Sequence, residues 1–327
     1  MSVARSSSTE QPPLPLRPAG CDVSSKWLDV KLPGTSRPAR FDNDPSGRDA
    51  LAKRLIEEKV DLLVLESTGG FELPLATRAH AVGVPVAIVN PRQVRDFAKG
   101  VGQLHKNDAA DAAVLARFAA QVPCRRWAPP PENQREIADI TDRITSLAQM
   151  RAAEVNRSRC TRCDAVADDV AEHIAHIDRR IDALKARVAE LIAADEVLAR
   201  RDRVIQSMKC VGPKGACVLI SHLPELGVES NRRCSALAGV APYDEDSGER
   251  RKRRRIRGGR REVRNQLYLC AMSAIRWVPR TKAYYESLCK RMSKKEALVA
   301  VMRKILWTLG GMLRKNQMWD ADFAPAA

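Results

Sequence analysis

Four carboxylates stand where phosphodiester chemistry could use them. The apolar run Leu62-Leu63-Val64-Leu65 ends on Glu66 and passes at once into Ser67-Thr68-Gly69-Gly70. That is the pattern of a buried strand delivering an acid to its C-terminal edge, with glycine-rich turns leaving a crevice beside it. Upstream, Gly20-Cys21-Asp22-Val23-Ser24 places a second acid in a short strand. Downstream, Lys106-Asn107-Asp108-Ala109-Ala110-Asp111 opens a helix rich in Ala and Leu. Asp108 and Asp111 are three apart and share one helical face. Clusters of oxygen ligands suit Mg²⁺, which prefers octahedral geometry and works in pairs at phosphodiesters. Taken singly, an Asp at a helix start is as well explained as a cap or dipole partner, and an Asp after a strand as a turn. The order strand-Asp, strand-Glu, helix-Asp-x-x-Asp carries the joint case.

Bringing these acids together requires a small sheet. Residues 19–24 and 27–32 read as strands, the second alternating Leu28, Val30 and Leu32, and Pro33-Gly34 turns the chain toward a third extended piece near Ala39-Arg40-Phe41. Residues 46–60 read as a helix with Leu51, Leu55 and Ile56 on one side. The Glu66 strand follows, then a helix from about Glu72 to Val82, a strand over residues 84–89 that stops at Asn90-Pro91, and the Asp108/Asp111 helix. The order β-β-β-α-β-α-β-α predicts an α/β domain, a mixed sheet with helices on both faces.

The chain of 327 residues has room for two domains and a connector. Its net charge of +16 is uneven: +4 over residues 1–128, −2 over 129–203 and +14 over 204–327. A basic excess confined to one segment predicts a polyanion partner there. Aromatic residues make up only 4%, which favours phosphate contacts over a base-stacking platform. Residues 1–17 read as a disordered Ser- and Pro-rich tail without the apolar core of a signal peptide. No run approaches the roughly 20 apolar residues of a membrane helix. The expectation is a cytoplasmic protein whose nine scattered cysteines are free thiols. Cys160-Thr161-Arg162-Cys163 is a lone CxxC within a helical pattern. His173 and His176 could complete a zinc set, yet the spacing lacks the turn and longer insert of a finger, so helix-surface and seam positions are expected instead.

Pro129-Pro130-Pro131 reads as a hinge after a catalytic domain over 18–128, and residues 129–203 read as a coiled-coil connector. Val170, Ile174, Ile177, Ile181, Leu184, Val188 and Leu191 alternate gaps of four and three, an a/d seam that needs a partner helix. The partner could be the 132–160 helix folded back or another chain's copy. A mostly α C-terminal domain is expected over 204–319, with a tail over 320–327. It opens with Val211-Gly212-Pro213-Lys214-Gly215-Ala216, like a helix-hairpin-helix turn whose amides, beside Lys214, can cradle a phosphate. Asp244-Glu245-Asp246-Ser247-Gly248-Glu249 precedes Arg250–Arg264, where ten of fifteen residues are Lys or Arg. Arg250, Arg251, Lys252, Arg257, Arg260, Arg261 and Arg264, with Lys106, are the candidate nucleic-acid contacts, and ten cations there predict steeply salt-dependent binding.

The order of acids resembles the RuvC-like branch of the ribonuclease-H-like fold. The blocks CDVSSKWLDV, LVLESTGG, VNPRQVRDFAKG and KNDAADA resemble, in order, the signature blocks of the DEDD transposases, the bridge-RNA-guided recombinases of certain insertion sequences. VGPKGA, DSGE and IRGGRREVRNQL resemble that family's C-terminal transposase domain. The resemblance implies that Ser247 is a strand-cleaving nucleophile and that Asp22, Glu66, Asp108 and Asp111 hold Mg²⁺. It also implies target and donor DNA as partners, a structured non-coding bridge RNA, and a tetramer built from dimers. The chain departs from the pattern in its extra arginines around Ser247 and in the three acids before it. Two rival readings stay open: a junction-resolving nuclease that uses the four acids and water, and a non-enzymatic RNA- or DNA-binding protein.

Overall fold

The computed structural model describes residues 17–103, 108–244 and 254–320, the side chains of 108–110 excepted. The chain divides after Pro130 into two compact units.

The first unit is built on a five-stranded sheet. Its strands are β1 (Pro18–Val23), β2 (Trp27–Lys31), β3 (Ala39–Asp42), β4 (Leu62–Glu66) and β5 (Val86–Val89), in the order β3-β2-β1-β4-β5. The β3-β2-β1 meander is antiparallel, whereas β1, β4 and β5 run parallel. Among the described residues four helices complete the unit: α1 (Pro45–Glu57), α2 (Leu73–Ala81), α3 (Pro91–Gly100) and α4 (Asp108–Gln121). Leu63 and Leu65 of β4 pack with Leu51, Leu55 and Leu75 on one face of the sheet. Leu62 and Val64 pack with Val94, Val114, Leu115 and Phe118 on the other. This double burial is why β4 reads as an unbroken apolar run rather than an alternating one.

Two details differ from the sequence-based expectation. The stretch after β5 is a further helix, α3, with Asn90 capping it by accepting from the Arg92 N–H at 2.8 Å and Pro91 at its first turn. In α1 the buried stripe is Leu51, Ala52 and Leu55, while Ile56 is 52% exposed. Ile56, four residues after Ala52, lies at the solvent edge of that stripe.

Gly20 sets how closely α4 approaches the sheet. A Cβ there would stand 2.3 Å from the Ala116 nitrogen and 2.4 Å from the Ala112 carbonyl oxygen, so only glycine lets the Ala-rich helix lie against β1. We expect Gly20→Val to destabilise this unit by about 3 kcal/mol or more, read as a lower midpoint in urea.

The second unit begins with α5 (Glu132–Ser158) and α6 (Asp164–Ala194). It continues through α7 (Glu196–Gln206), α8 (Pro213–His222) and α9 (Asn231–Leu237) to a short ladder of β6 (Pro242–Tyr243) and β7 (Arg255–Ile256). Helices α10 (Arg261–Trp277), α11 (Pro279–Cys289) and α12 (Lys294–Lys315) close it. The seam residues Ile177, Ile181 and Val188 pack in one cluster with Ile137, Ile144 and Leu147 of α5. The partner helix of the seam is therefore the preceding helix of the same chain. That cluster runs on through Ile205, Leu219, Leu267 and Leu309, so connector and C-terminal helices share one core. No helix among the described residues is long and apolar enough to cross a membrane.

Candidate active site

Asp22 and Glu66 are brought side by side by strand register. The parallel ladder pairs Gly20 with Val64 and Cys21 with Leu65, so the next step sets Asp22 beside Glu66 on strands about 4.8 Å apart. Side chains alternate along a strand. Asp22 therefore shares the face of Gly20, which is pressed against α4, and Glu66 shares that of Leu62 and Val64, which pack with α4 residues. Both acids lie on the α4 side, at the carboxyl ends of their strands, and both are half-buried. Asp111, also half-buried, immediately precedes Ala112, whose carbonyl faces Gly20. Asp108 is the first residue of α4, and its side chain lies outside the described residues. Among the described residues no three His, Cys, Asp or Glu side chains stand close enough to hold a metal ion. The structure thus aligns Asp22 with Glu66 and places Asp111 on the helix that covers their face.

Two acids that the sequence reading passed over support this edge. Asp29 stands directly opposite Asp22 across the β1–β2 ladder. It is 9% exposed and accepts from Arg40 Nε at 2.9 Å and Nη2 at 3.0 Å. A bidentate arginine fixes its charge within the sheet. Glu72 is 4% exposed and turns back into the loop after Glu66. Its Oε2 accepts from the Thr68 N–H at 3.1 Å, the Thr68 hydroxyl at 3.1 Å and the Gly70 N–H at 2.9 Å. The loop closes on this carboxylate, helped by Gly69 and Gly70 at φ 79° and 111°. The signal was present in the sequence, an acid six residues after Glu66 and just past the double glycine. Cys21, beside Asp22, points to the opposite face of the sheet. Burial, followed by the Asp22 and Asp29 charges, pushes its thiol well up, so it is a packed, protonated side chain.

In the second unit, Ser247, Arg250, Arg251 and Lys252 lie outside the described residues, as does Lys106 in the first. The segment carrying Ser247 joins β6 to β7, whose ladder pairs Pro242 with Ile256 and Tyr243 with Arg255. Asp244 and Arg254 form an ion pair just past that ladder. The base is fixed by a backbone clasp: a Cβ on Gly239 would stand 2.3 Å from the Gly258 oxygen, and one on Gly259 2.2 Å from the Gly239 nitrogen. The Arg260 N–H donates to the Leu237 carbonyl at 2.7 Å. The Arg260 guanidinium holds Glu225 through contacts of 2.5 and 2.7 Å and donates to the His222 carbonyl at 3.0 Å. It ties the start of α10 to the α8–α9 region, which a sequence reading of the basic run as uniform phosphate contacts does not reveal. Arg264 donates to the Gly258 carbonyl at 2.5 Å. Arg257 and Arg261 are exposed. Lys214 is exposed beside Gly212, the N-cap of α8, but Pro213 brings no amide N–H to this turn and Gly215 and Ala216 are buried.

Comparison with known proteins bears on both halves. Residues 20–161 match a family model described as a transposase of the DEDD IS110 type. Residues 202–286 match the model described as the transposase IS116/IS110/IS902 family. The chain belongs to the IS110 family of DEDD transposases. Among its relatives are the pilin gene-inverting proteins of Moraxella bovis and Moraxella lacunata, each 26% identical over 263 residues, or 79% of this chain and 81% of theirs. The transposase is a DNA recombination enzyme of insertion-sequence type, and the first model covers the aligned acids while the second covers the clasp and Ser247. Because the clasp leaves no room for a Cβ, Gly259→Ala should lower recombination by about 10²-fold through misplacement of the intervening segment. Recombinant-product yield on labelled DNA, with circular dichroism as the folding control, checks this.

Proposed function

We propose that the transposase cuts and rejoins DNA through a phosphoserine link, with Asp22, Glu66, Asp108 and Asp111 holding Mg²⁺ at the scissile phosphate. The alignment of Asp22 with Glu66 at the carboxyl edge of β1 and β4, on the face covered by α4, carries this reading. Sheet order and the placement of the acids suit a ribonuclease-H-like, RuvC-like domain. The donor set fits a hard cation, since it consists of carboxylates with neither thiolate nor imidazole. When bound, Mg²⁺ supplies Lewis-acid stabilisation of charge on the phosphoryl oxygens.

The remaining chemistry belongs to the chain. Ser247 Oγ forms a bond to phosphorus and gives up its proton, while the bond from phosphorus to a sugar oxygen breaks and that oxygen leaves as a hydroxyl. The reverse reaction with a hydroxyl from a second strand rejoins DNA and restores the serine. Conserving the bond in this way suits relatives named for inverting a gene, because inversion requires every cut strand to be resealed. Arg250, Arg251, Lys252, Arg257, Arg261 and Arg264, with Lys106 and Lys214, hold phosphates, and Arg260 positions the start of α10. A structured bridge RNA pairing with target and donor DNA, a dimer-to-tetramer assembly, and action in the cytoplasm at the nucleoid complete the proposal.

The test is strand exchange between end-labelled donor and target DNA with the element-derived RNA. Exchanged strands should form with Mg²⁺, vanish with excess chelator and return when Mg²⁺ is restored. Exchange that persists in chelator would sink the metal assignment.

A further inference from the structure

Helices α5 and α6 form an antiparallel hairpin held by the apolar seam, and polar contacts across it mark its register. Arg187 meets Glu136 at 2.9 Å, Arg151 meets Asp178 at 2.6 Å, and His173 stands 3.7 Å from Glu154. Followed toward the turn, this register ends at residues 159–163. The 27 residues of α5 make a rod of about 40 Å. At its tip lie Cys160 and Cys163, both exposed. They stand on ordered backbone. The Cys160 N–H donates to the Arg157 carbonyl at 3.0 Å, and the Cys163 carbonyl accepts from the Val166 and Ala167 N–H groups at 3.1 and 2.9 Å.

The other cysteines are different. Cys21, Cys210, Cys234 and Cys270 are buried, and Cys124, Cys217 and Cys289 are partly covered. Burial pushes the Cys210 thiol up to about 12 and Cys217 to about 11, so these are packed, inert groups. The tip pair has no packing role to explain it. Nor does it lie within a helix, as the sequence pattern suggested, because α5 stops at Ser158 and α6 starts at Asp164.

The C-x-x-C spacing is one half of a tetrahedral zinc site. Among the described residues its own chain does not complete it. His173 and His176 are ten and thirteen residues beyond Cys163, about 15 and 20 Å along α6. Among the described residues no group of three metal-binding side chains forms. Two more thiolates at the same spacing are found on the tip of a second copy. We propose that two copies of the transposase join tip to tip through one zinc ion held by Cys160 and Cys163 of each. The four thiols release their protons to solvent as the metal binds. Four thiolates around Zn²⁺ leave two negative charges, and Arg159 and Arg162 of each copy place cations around them. The bridge would hold two protomers at a separation set by two rigid rods.

The test uses the full chain purified with zinc and a phosphine reductant, then cleared of unbound metal. Metal is counted by a chromogenic chelator after mercurial displacement, chain number is read by light scattering, and the ligand set is read from the visible spectrum after cobalt replacement. The expected result is one zinc per two chains and a four-thiolate cobalt spectrum. Cys160→Ser and Cys163→Ser should each lower bound zinc at least tenfold with unchanged circular dichroism. No bound zinc, one zinc per chain, or zinc retained in either serine variant would overturn the bridge.

Discussion

Asp22→Asn and Glu66→Gln, each made alone, should lower strand cleavage by about 10³-fold, equivalent to roughly 4 kcal/mol in the barrier. Both replacements keep side-chain size, and neither touches the backbone ladder that pairs Cys21 with Leu65, so the sheet should fold normally. What each removes is the negative charge at one of two neighbouring positions on one face. Asp29 provides the internal comparison. It stands opposite Asp22 on the same sheet and carries the same side chain, and its carboxylate is fixed by Arg40. Asp29→Asn should cost about 1–3 kcal/mol of stability by weakening a charge-assisted pair, while cleavage by the folded protein changes far less. Single-turnover cleavage rates, measured beside urea midpoints, separate the two effects. If Asp29→Asn proved as inactive as Asp22→Asn while remaining folded, the acids could not be divided into ligands and supports in this way.

Ser247→Ala should abolish strand exchange and leave nucleic-acid binding intact. A serine hydroxyl contributes little to affinity next to the ten cations of Arg250–Arg264, and phosphate neutralisation sets both affinity and its salt dependence. Binding curves for wild type and Ser247→Ala should therefore superimpose, with the same slope against salt, while exchanged product is undetectable. Arg257→Ala together with Arg261→Ala should give the opposite pattern, a shallower salt slope with the nucleophile in place. Filter binding between about 50 and 200 mM salt, where such interfaces lose most of their affinity, makes the comparison.

Much of the first unit was legible because its signals are local. The apolar run of β4 ends on Glu66, and Asp-x-x-Asp begins α4, so strand, helix and acids could be read from a few residues each. Asp22 and Glu66 could be expected at one sheet edge, but their side-by-side register required the β1–β4 pairing, a contact between residues 44 apart. Glu72 went unread because its role depends on the loop folding back onto its carboxylate. Arg260 sat in a run of cations, and only its partner, Glu225, distinguishes it from its neighbours. α3 is hard to read because its polar sequence hides a short apolar stripe, buried Val94 with partly buried Phe97 and Ala98, that has meaning only against the strands and α4. The CxxC reads as helix surface in the sequence because helical spacing continues on both sides of the turn. The open choice of seam partner was settled by packing against α5, since an a/d pattern does not name its partner.

The most direct measurement is a trap for the covalent intermediate. The transposase would be incubated with Mg²⁺, the element-derived RNA and end-labelled target DNA, then denatured and run on a gel that separates protein from DNA. The account predicts label migrating with the protein, absent from Ser247→Ala and from Asp111→Ala. Cleaved DNA from the wild type with no label on the protein would contradict it and identify water as the nucleophile.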